Sequence, residues 1–556
     1  MNRVFLMTLA ACAMLLAACN RDQSSPDIPA SAEGIAGLFE RIEAESPYVF
    51  ANMDVLPDDL LHRLWSPLSD VAQEQEAVYA ALAEGLEEES PLIAALLREV
   101  ARLQRPEDLE ALGLSANGLW AIHAHEGLPF LHWQLSDGDA FSAFLERISA
   151  ASSTPLPGRT VDSEALVWLA LDELGLGIGI HHDDAFLTIG LIRDNEPSLR
   201  RLANLAPTTN PLSPTEFIRF NRERGFTPHG SGYIDFERLL NSLTNLTATT
   251  DHPLGELKSL IDAEPACAGE LSSLIRQIPR LSAGMTELSP QGLQSTARLE
   301  MSSELGQQMA RIADTPVSLD LSGAQLAEVG MAFNLVAARD FARGLVGGWI
   351  NSPPECALFA EVASNAPDWQ RALNQPIPPF ITNIHGFRMA IDDIAMDQIE
   401  QGGFSATLGV FMRNPQMLIG MAQMFSPELA AMDLRPGGEP KPLPPGMLPN
   451  LPSMEAFLAL SNDAIGLALG ESQIDQLGQR LEAGRGDAAI LAYSINVERY
   501  TELLESLEAL GLSSDDDPLA NLDLLIGLNS QYSETGMRIE LSERGIDIIN
   551  ILRFRD

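Results

Sequence analysis

One pattern recurs along this chain and limits what it can fold into: an apolar strand, a short polar residue, then an amphipathic helix. It appears as YVFANMDVLPDDLLHRLW from Tyr48, FLHWQLSDGDAFSAFLERI from Phe130, GYIDFERLLNSL from Gly232, VGMAFNLVAARDFARGL from Val329 and LAYSINVERYTELLESL from Leu491. The polar residue has a defined task, because an Asn, Asp or Ser side chain accepts from the free amides that open a helix. In the second unit Phe141, Phe144, Leu145 and Ile148 recur at helical spacing, which predicts one face turned to a core. Between the units lie hairpin patterns with Gly turns, ELSPQGLQSTARLEM over 287–301 and IELSERGIDIINILRF over 539–554. Turns this short join antiparallel strands. The expected class is α+β, each sheet largely antiparallel with helices on one face.

The same signals follow in the same order in two halves. Asn52, Ser136, Asp184, Asp235 and Gly292 correspond to Asn334, Arg413, Asp463, Asn496 and Gly545. Asn52 to Asp184 is 132 residues and Asn334 to Asp463 is 129, while later spacings differ as loops of changed length would. An internal duplication is therefore expected, with similar domains over 46–302 and 325–556. The Pro-rich stretch 435–452, RPGGEPKPLPPGMLPNLP, excludes helix and interior strand and reads as a surface loop within the second. If helices cover one face of each sheet, the other faces the partner domain, and a ligand cleft is expected between the halves.

Length and charge set the broad class. At 556 residues and 46% hydrophobic content the chain is long enough for two packed cores. Its 77 acidic against 35 basic residues give a net charge of −42, a field that repels nucleic acid and anionic headgroups. Only Lys258 and Lys441 are lysines, so nearly every cation is an arginine. After residue 19 no run approaches 18 uninterrupted apolar residues, so no second span is expected.

The chain opens MNRVFLMTLAACAMLLAACNRD. Arg3 supplies a positive start, and Val4 to Ala18 form an apolar stretch shorter than the roughly 20 residues of a membrane span. Leu16, Ala17, Ala18 and Cys19 resemble the lipobox of bacterial lipoprotein precursors. The resemblance implies that residues 1–18 are removed and that Cys19 is acylated on its thiol and its amine, two chains being what stable anchoring takes. Asn20 follows where Asp is the usual inner-membrane retention signal, so the lipid anchor is expected in the outer membrane with the body in the periplasm. Residues 19–45 are expected as a flexible tether, beginning NRDQSSPDIPASAEG.

Cys267 and Cys356 are the two cysteines left in the body, a disulfide pair expected in an oxidising compartment. Three histidines cluster in AIHAHEGLPFLHW. On a strand His123 and His125 share a face, and a turn at Glu126 and Gly127 brings His132 across, a spacing that permits a three-nitrogen zinc site. A solvated sheet face explains the same residues without metal. His181 to Asp184 reads as a polar hairpin tip, and SDGDAF and SSDDDPLANLDLLIGL as helix starts, the latter with Pro518 at the first helical position.

Other chemistry is excluded by absence. Neither lysine stands three residues after a serine, which removes the Ser-x-x-Lys nucleophile. Gly113, Ser115 and Asn117 come nearest to a nucleophile elbow, with Asn where the turn needs Gly. There is no His-Glu-x-x-His, Walker loop, dinucleotide fingerprint or Cys-x-x-Cys. Pairs of carboxylates that act on glycans remain open among so many acids. The function expected is a non-enzymatic binding or scaffold module, recognising an envelope protein or another partner. Its alternatives are a carrier of a hydrophobic ligand, lined by Met-rich VFMRNPQMLIGMAQMF and the strand FLTIGLI, or an envelope hydrolase.

Overall fold

The computed structural model describes residues 32–57, 60–61, 63–64, 79–87, 91–103, 105–152, 155–171, 175–245, 255–321, 326–395, 403–444, 447, 455–482, 486–509 and 532–555. The signal segment, Cys19 and the helix start at Ser513 lie outside these residues. No helix among them is long and apolar enough to cross a membrane.

The first half supplies strands β1 (Tyr48–Asn52), β2 (Trp120–His125), β3 (Leu128–Gln134), β4 (Gly158–Val161), β5 (Glu164–Leu171), β6 (Leu176–His182), β7 (Phe186–Arg193), β8 (Ser231–Asp235), β9 (Arg280–Ser289) and β10 (Gly292–Glu300). The second supplies β11 (Ala327–Ala332), β12 (Ile384–Ile394), β13 (Phe404–Met412), β14 (Lys441–Pro442), β15 (Ala456–Leu460), β16 (Ala464–Leu469), β17 (Ala489–Asn496), β18 (Tyr532–Ser542) and β19 (Gly545–Phe554). All pair antiparallel. The first half runs β4-β5-β6-β7-β3-β2-β1-β8-β9-β10 across the sheet. The second runs β19-β18-β17-β11-β12-β13-β16-β15-β14. A ladder from Gly292 opposite Arg553 to Glu300 opposite Gly545 joins β10 to β19, so the halves share one continuous sheet.

The strand-to-helix junctions form by capping. Asp137 accepts from Ala140 N at 3.0 Å, Asp235 from Arg238 N at 3.1 Å, Asn334 from Ala337 N at 3.1 Å and Asn496 from Arg499 N at 3.0 Å. Each satisfies an amide of the first helical turn and turns the chain off the sheet.

Two expectations need correction. Helices pack on both faces. On the first, Leu38, Phe39 and Phe217 bury Val49, Ala51 and Ala121; on the opposite face, Phe141, Phe144 and Ile148 pack with Trp133 and Leu187. The cause is that strands such as FLTIGLI are apolar on both sides, so each side needs a cover. Residues 32–45 also do not form the expected tether. Ala32–Phe39 is helical, and Leu38, Phe39 and Ile42 are fully buried because their spacing builds an apolar stripe. Within the Pro-rich stretch, Lys441 and Pro442 form the edge strand β14, a position where proline leaves no ladder bond unmade.

The first face is the better covered. In the second half it carries Ala332, Phe411, Ala464, Ala468 and Ala492 beneath Val317, Leu319, Leu477 and Leu481. Near the middle it carries Arg–carboxylate pairs, among them Arg298 with Asp547, Arg280 with Asp235 and Arg388 with Glu328.

Candidate functional site

The histidine cluster lies on this covered face. β2 and β3 turn at Glu126 and Gly127, whose φ values of 51° and 80° match the type I′ turn that suits strand twist. The register sets His132 opposite Ala121, so His123 meets it diagonally, with Nε2 atoms 3.0 Å apart. Both rings are buried. Their tautomers follow from their partners. The Ala124 carbonyl only accepts, so His123 donates from Nδ1 (3.2 Å) and leaves Nε2 bare. His132 then donates from Nε2, and its bare Nδ1 accepts from the Thr188 hydroxyl at 3.0 Å.

His125 turns elsewhere, its Nδ1 3.2 Å from Glu43 Oε1. The ligand atoms of His123, His125 and His132 do not gather within 4.8 Å of one another, so this arrangement does not assemble the three-nitrogen zinc set. The physical reason is burial: His123 and His132 engage their nitrogens with each other, a carbonyl and a hydroxyl. The hydrogen bond from His125 holds the Glu43 carboxyl below its usual range, against the opposing effect of burial.

Burial pushes His123 down to about 3 and His132 well below the usual range, so both rings are neutral at pH 7. As pH falls below about 6.5, unfolded histidines take up protons that the folded pair refuses, and stability drops until pH nears 3, by at most about 1.4 kcal/mol per unit for each ring. The difference in urea midpoint between pH 7 and pH 5 is expected to shrink in His123→Phe/His132→Leu relative to wild type. An unchanged difference would mean the pair does not set acid sensitivity.

A cleft of about 400 Å³ opens beside His125, lined by Glu43, Glu45, Glu126, Arg193 and Arg238. It lies within the first half and not between the halves. Its charges face one another: Arg193 stands 3.9 Å from Glu126, and Arg238 donates to the Ala44 carbonyl at 2.6 Å with its Nε 3.8 Å from Glu45. A cleft so balanced offers little to select a charged ligand.

Cys267, on helix Pro265–Gln277, and Cys356, at the start of helix Ala357–Ser364, are joined by a disulfide with Cα atoms 4.6 Å apart. Glu264 accepts from Ala357 N at 2.9 Å and Glu270 from Glu355 N at 2.7 Å, binding the same two helices. Glu264, Cys267 and Cys356 are the described residues that bring three metal-type ligand atoms together, but the disulfide occupies both sulfurs.

The most distinctive surface is the opposite face of the second half. The registers place Val329, Met389, Leu408, Leu467, Tyr493 and Met537 in one row across β11, β12, β13, β16, β17 and β18. Met331, Phe387, Val410, Ile465 and Leu491 form the next row. All are half-buried except Met389, which is 38% exposed. Of the Met-rich segment, Val410 lies on this face, while Met424 and Phe425 end helix Pro415–Phe425 at 74% and 88% exposure. In FLTIGLI, Ile189 and Leu191 share the half-buried side and Phe186, Leu187 and Thr188 are buried. An apolar sheet face left only half-buried over several strands is the kind of surface that a ligand or a partner covers.

Sequence reasoning missed Glu43 and Thr188 as histidine partners, since they lie 82 and 56 residues away and no local signal joins them. Alternation in β11, β12 and β13 was the signal for the aliphatic face, with side chains large and apolar on one side and a mixture of Gly, Ala and polar residues on the other. Comparison with protein-family models, curated proteins and solved structures finds no match.

Proposed function

We propose that this chain is a lipid-tethered, non-enzymatic envelope protein whose body carries a hydrophobic ligand on the aliphatic face of its second half. One observation carries the reading: two adjoining rows of large apolar side chains, paired strand to strand from β16 to β17 and in one row on to β18, remain only half-buried. Each CH₂ of a ligand buried there contributes about 0.8 kcal/mol before association costs. Acylated Cys19 would hold the body at the outer membrane, on its periplasmic side, close to a source of such ligands. A carrier fits better than a scaffold, whose contact surface would be more polar. A zinc hydrolase on His123, His125 and His132 is set aside, because two of those rings are engaged in buried hydrogen bonds.

We also infer that domains 46–302 and 325–556 arose by duplication. In support, β5-β6-β7-β3-β2-β1-β8-β9-β10 and β14-β15-β16-β13-β12-β11-β17-β18-β19 are the same order of pairing, strand for strand. The five matched positions, from Asn52 and Asn334 to Gly292 and Gly545, fall at equivalent junctions of that order.

Made as Cys19→Ser and exported, the protein is expected in the soluble periplasmic fraction. Native mass spectrometry without detergent is expected to find a stoichiometric added mass of lipid size. Met389→Asp with Val410→Asp places carboxylates on the face and is expected to lower occupancy about tenfold or more, with circular dichroism unchanged. A bare protein mass from the parent would sink the carrier reading.

A further inference from the structure

At one end of the sheet that carries the aliphatic face, Arg413, His385 and the carboxylate of Asp463 come together, and Arg339 stands on the helix that leaves the same end. Phe333 N donates to the His385 carbonyl at 3.0 Å and Arg413 N to the Asn383 carbonyl at 2.9 Å, so the ends of β11, β12 and β13 meet there. A bulge between Ile384 and Gly386 leaves His385 out of the ladder to β13, the kind of irregularity that re-aims a side chain. Arg413 is close enough to His385 to help depress its pKa, after burial, while Asp463 opposes the effect. Arg339 stands in helix Leu335–Asn351, about 8 Å along the axis from its Asn334 cap at this same end of the sheet. Its Nε is buried without a hydrogen-bond partner.

These arginines differ from the others near the sheet. Arg224, Arg280, Arg298, Arg388, Arg480 and Arg538 each hold a carboxylate at 3.0 Å or closer. Among the described residues neither Arg339 nor Arg413 has a carboxylate within 4.0 Å. In a chain with 77 acids to 35 bases, leaving these two arginines without a carboxylate among the described residues runs against composition. The Arg fork suits the planar or tetrahedral oxygens of a carboxylate or phosphate.

Resting on the carrier reading, we propose that the ligand is an amphiphile with an anionic head: its chain lies along the aliphatic rows, and its carboxylate or phosphate is held at the sheet end by Arg413, Arg339 and His385. The net charge of −42 works against anionic membrane surfaces as a whole, so a local positive edge gives selection for one anionic head at a time.

The test measures binding of oleate, 1-oleoyl lysophosphatidate and neutral monoolein to the mature full-length protein and to Arg339→Gln/Arg413→Gln. Wild type is expected to bind at least one of the two anionic lipids about tenfold or more tighter than monoolein. The variant is expected to lose that preference while keeping its monoolein affinity, which also reports an intact fold. Preference for oleate alone would identify a carboxylate head, and for lysophosphatidate alone a phosphate head. Equal affinity for all three in wild type, or a preference that survives both substitutions, would overturn the anionic head and leave the carrier reading standing. Failure of all three to bind would overturn both.

Discussion

Asp547→Asn is expected to cost about 3 to 5 kcal/mol of stability, the largest loss for a single substitution proposed for this chain. Arg298 and Asp547 face each other directly across the β10–β19 ladder, with Nε to Oδ1 at 2.6 Å and Nη2 to Oδ2 at 2.9 Å. Their side chains are 8% and 7% exposed, so water cannot replace a lost partner. Removing one charge strands the other; removing both does not. Arg298→Met/Asp547→Leu is therefore expected to recover most of the loss, and a double-mutant cycle on urea midpoints would measure the coupling. A loss under about 1 kcal/mol for Asp547→Asn would mean that water or another group reaches Arg298.

Opening the disulfide is expected to have a comparable effect through a different state. Cys267 and Cys356 close a loop across 89 residues that contains β9, β10, β11 and most of the chain between the halves. On the chain-entropy account such a loop contributes about 4 to 5 kcal/mol, chiefly by restricting the unfolded chain. Cys267→Ala/Cys356→Ala is expected to lower the urea midpoint accordingly while folded spectra and ligand occupancy remain as in the parent. Glu264 and Glu270 would still hold the two helices by their backbone amides. A variant of unchanged midpoint would show that the unfolded chain is already restrained there.

What could be read from the sequence was local. Asp137, Asp235, Asn334 and Asn496 stand out because a cap needs a specific side chain within three residues of the amide it binds. The β9–β10 and β18–β19 hairpins were legible for the same reason. The pairing of β10 with β19 was not, because each strand already has a hairpin partner and nothing in either identifies its second neighbour. Arg298 illustrates this: its carboxylate lies 249 residues on. At the histidines, spacing placed His123 and His132 on facing strands but did not reveal their depth. Both rings are buried, with Phe130 beside them and Thr188 reaching His132 from a strand 56 residues on. Arg339 and Arg413, which have no carboxylate within 4.0 Å among the described residues, were equally invisible, since the neighbours of a side chain are a property of the fold and not of a motif.

The order in which strands arrive gives the seam between the halves a further meaning. β10 is made some 250 residues before β19, a wait of roughly 10 to 50 s at synthesis rates of about 5 to 20 residues per second. A first half that folds before β19 has joined it presents one edge of β10 as a row of bare amides and carbonyls, the template on which chains aggregate. A product that stops before β19 keeps that edge for good, however well its first ten strands have formed. The joint thus ties the two halves together: the β10 edge is concealed only when β19, from the far end of the chain, has been laid against it.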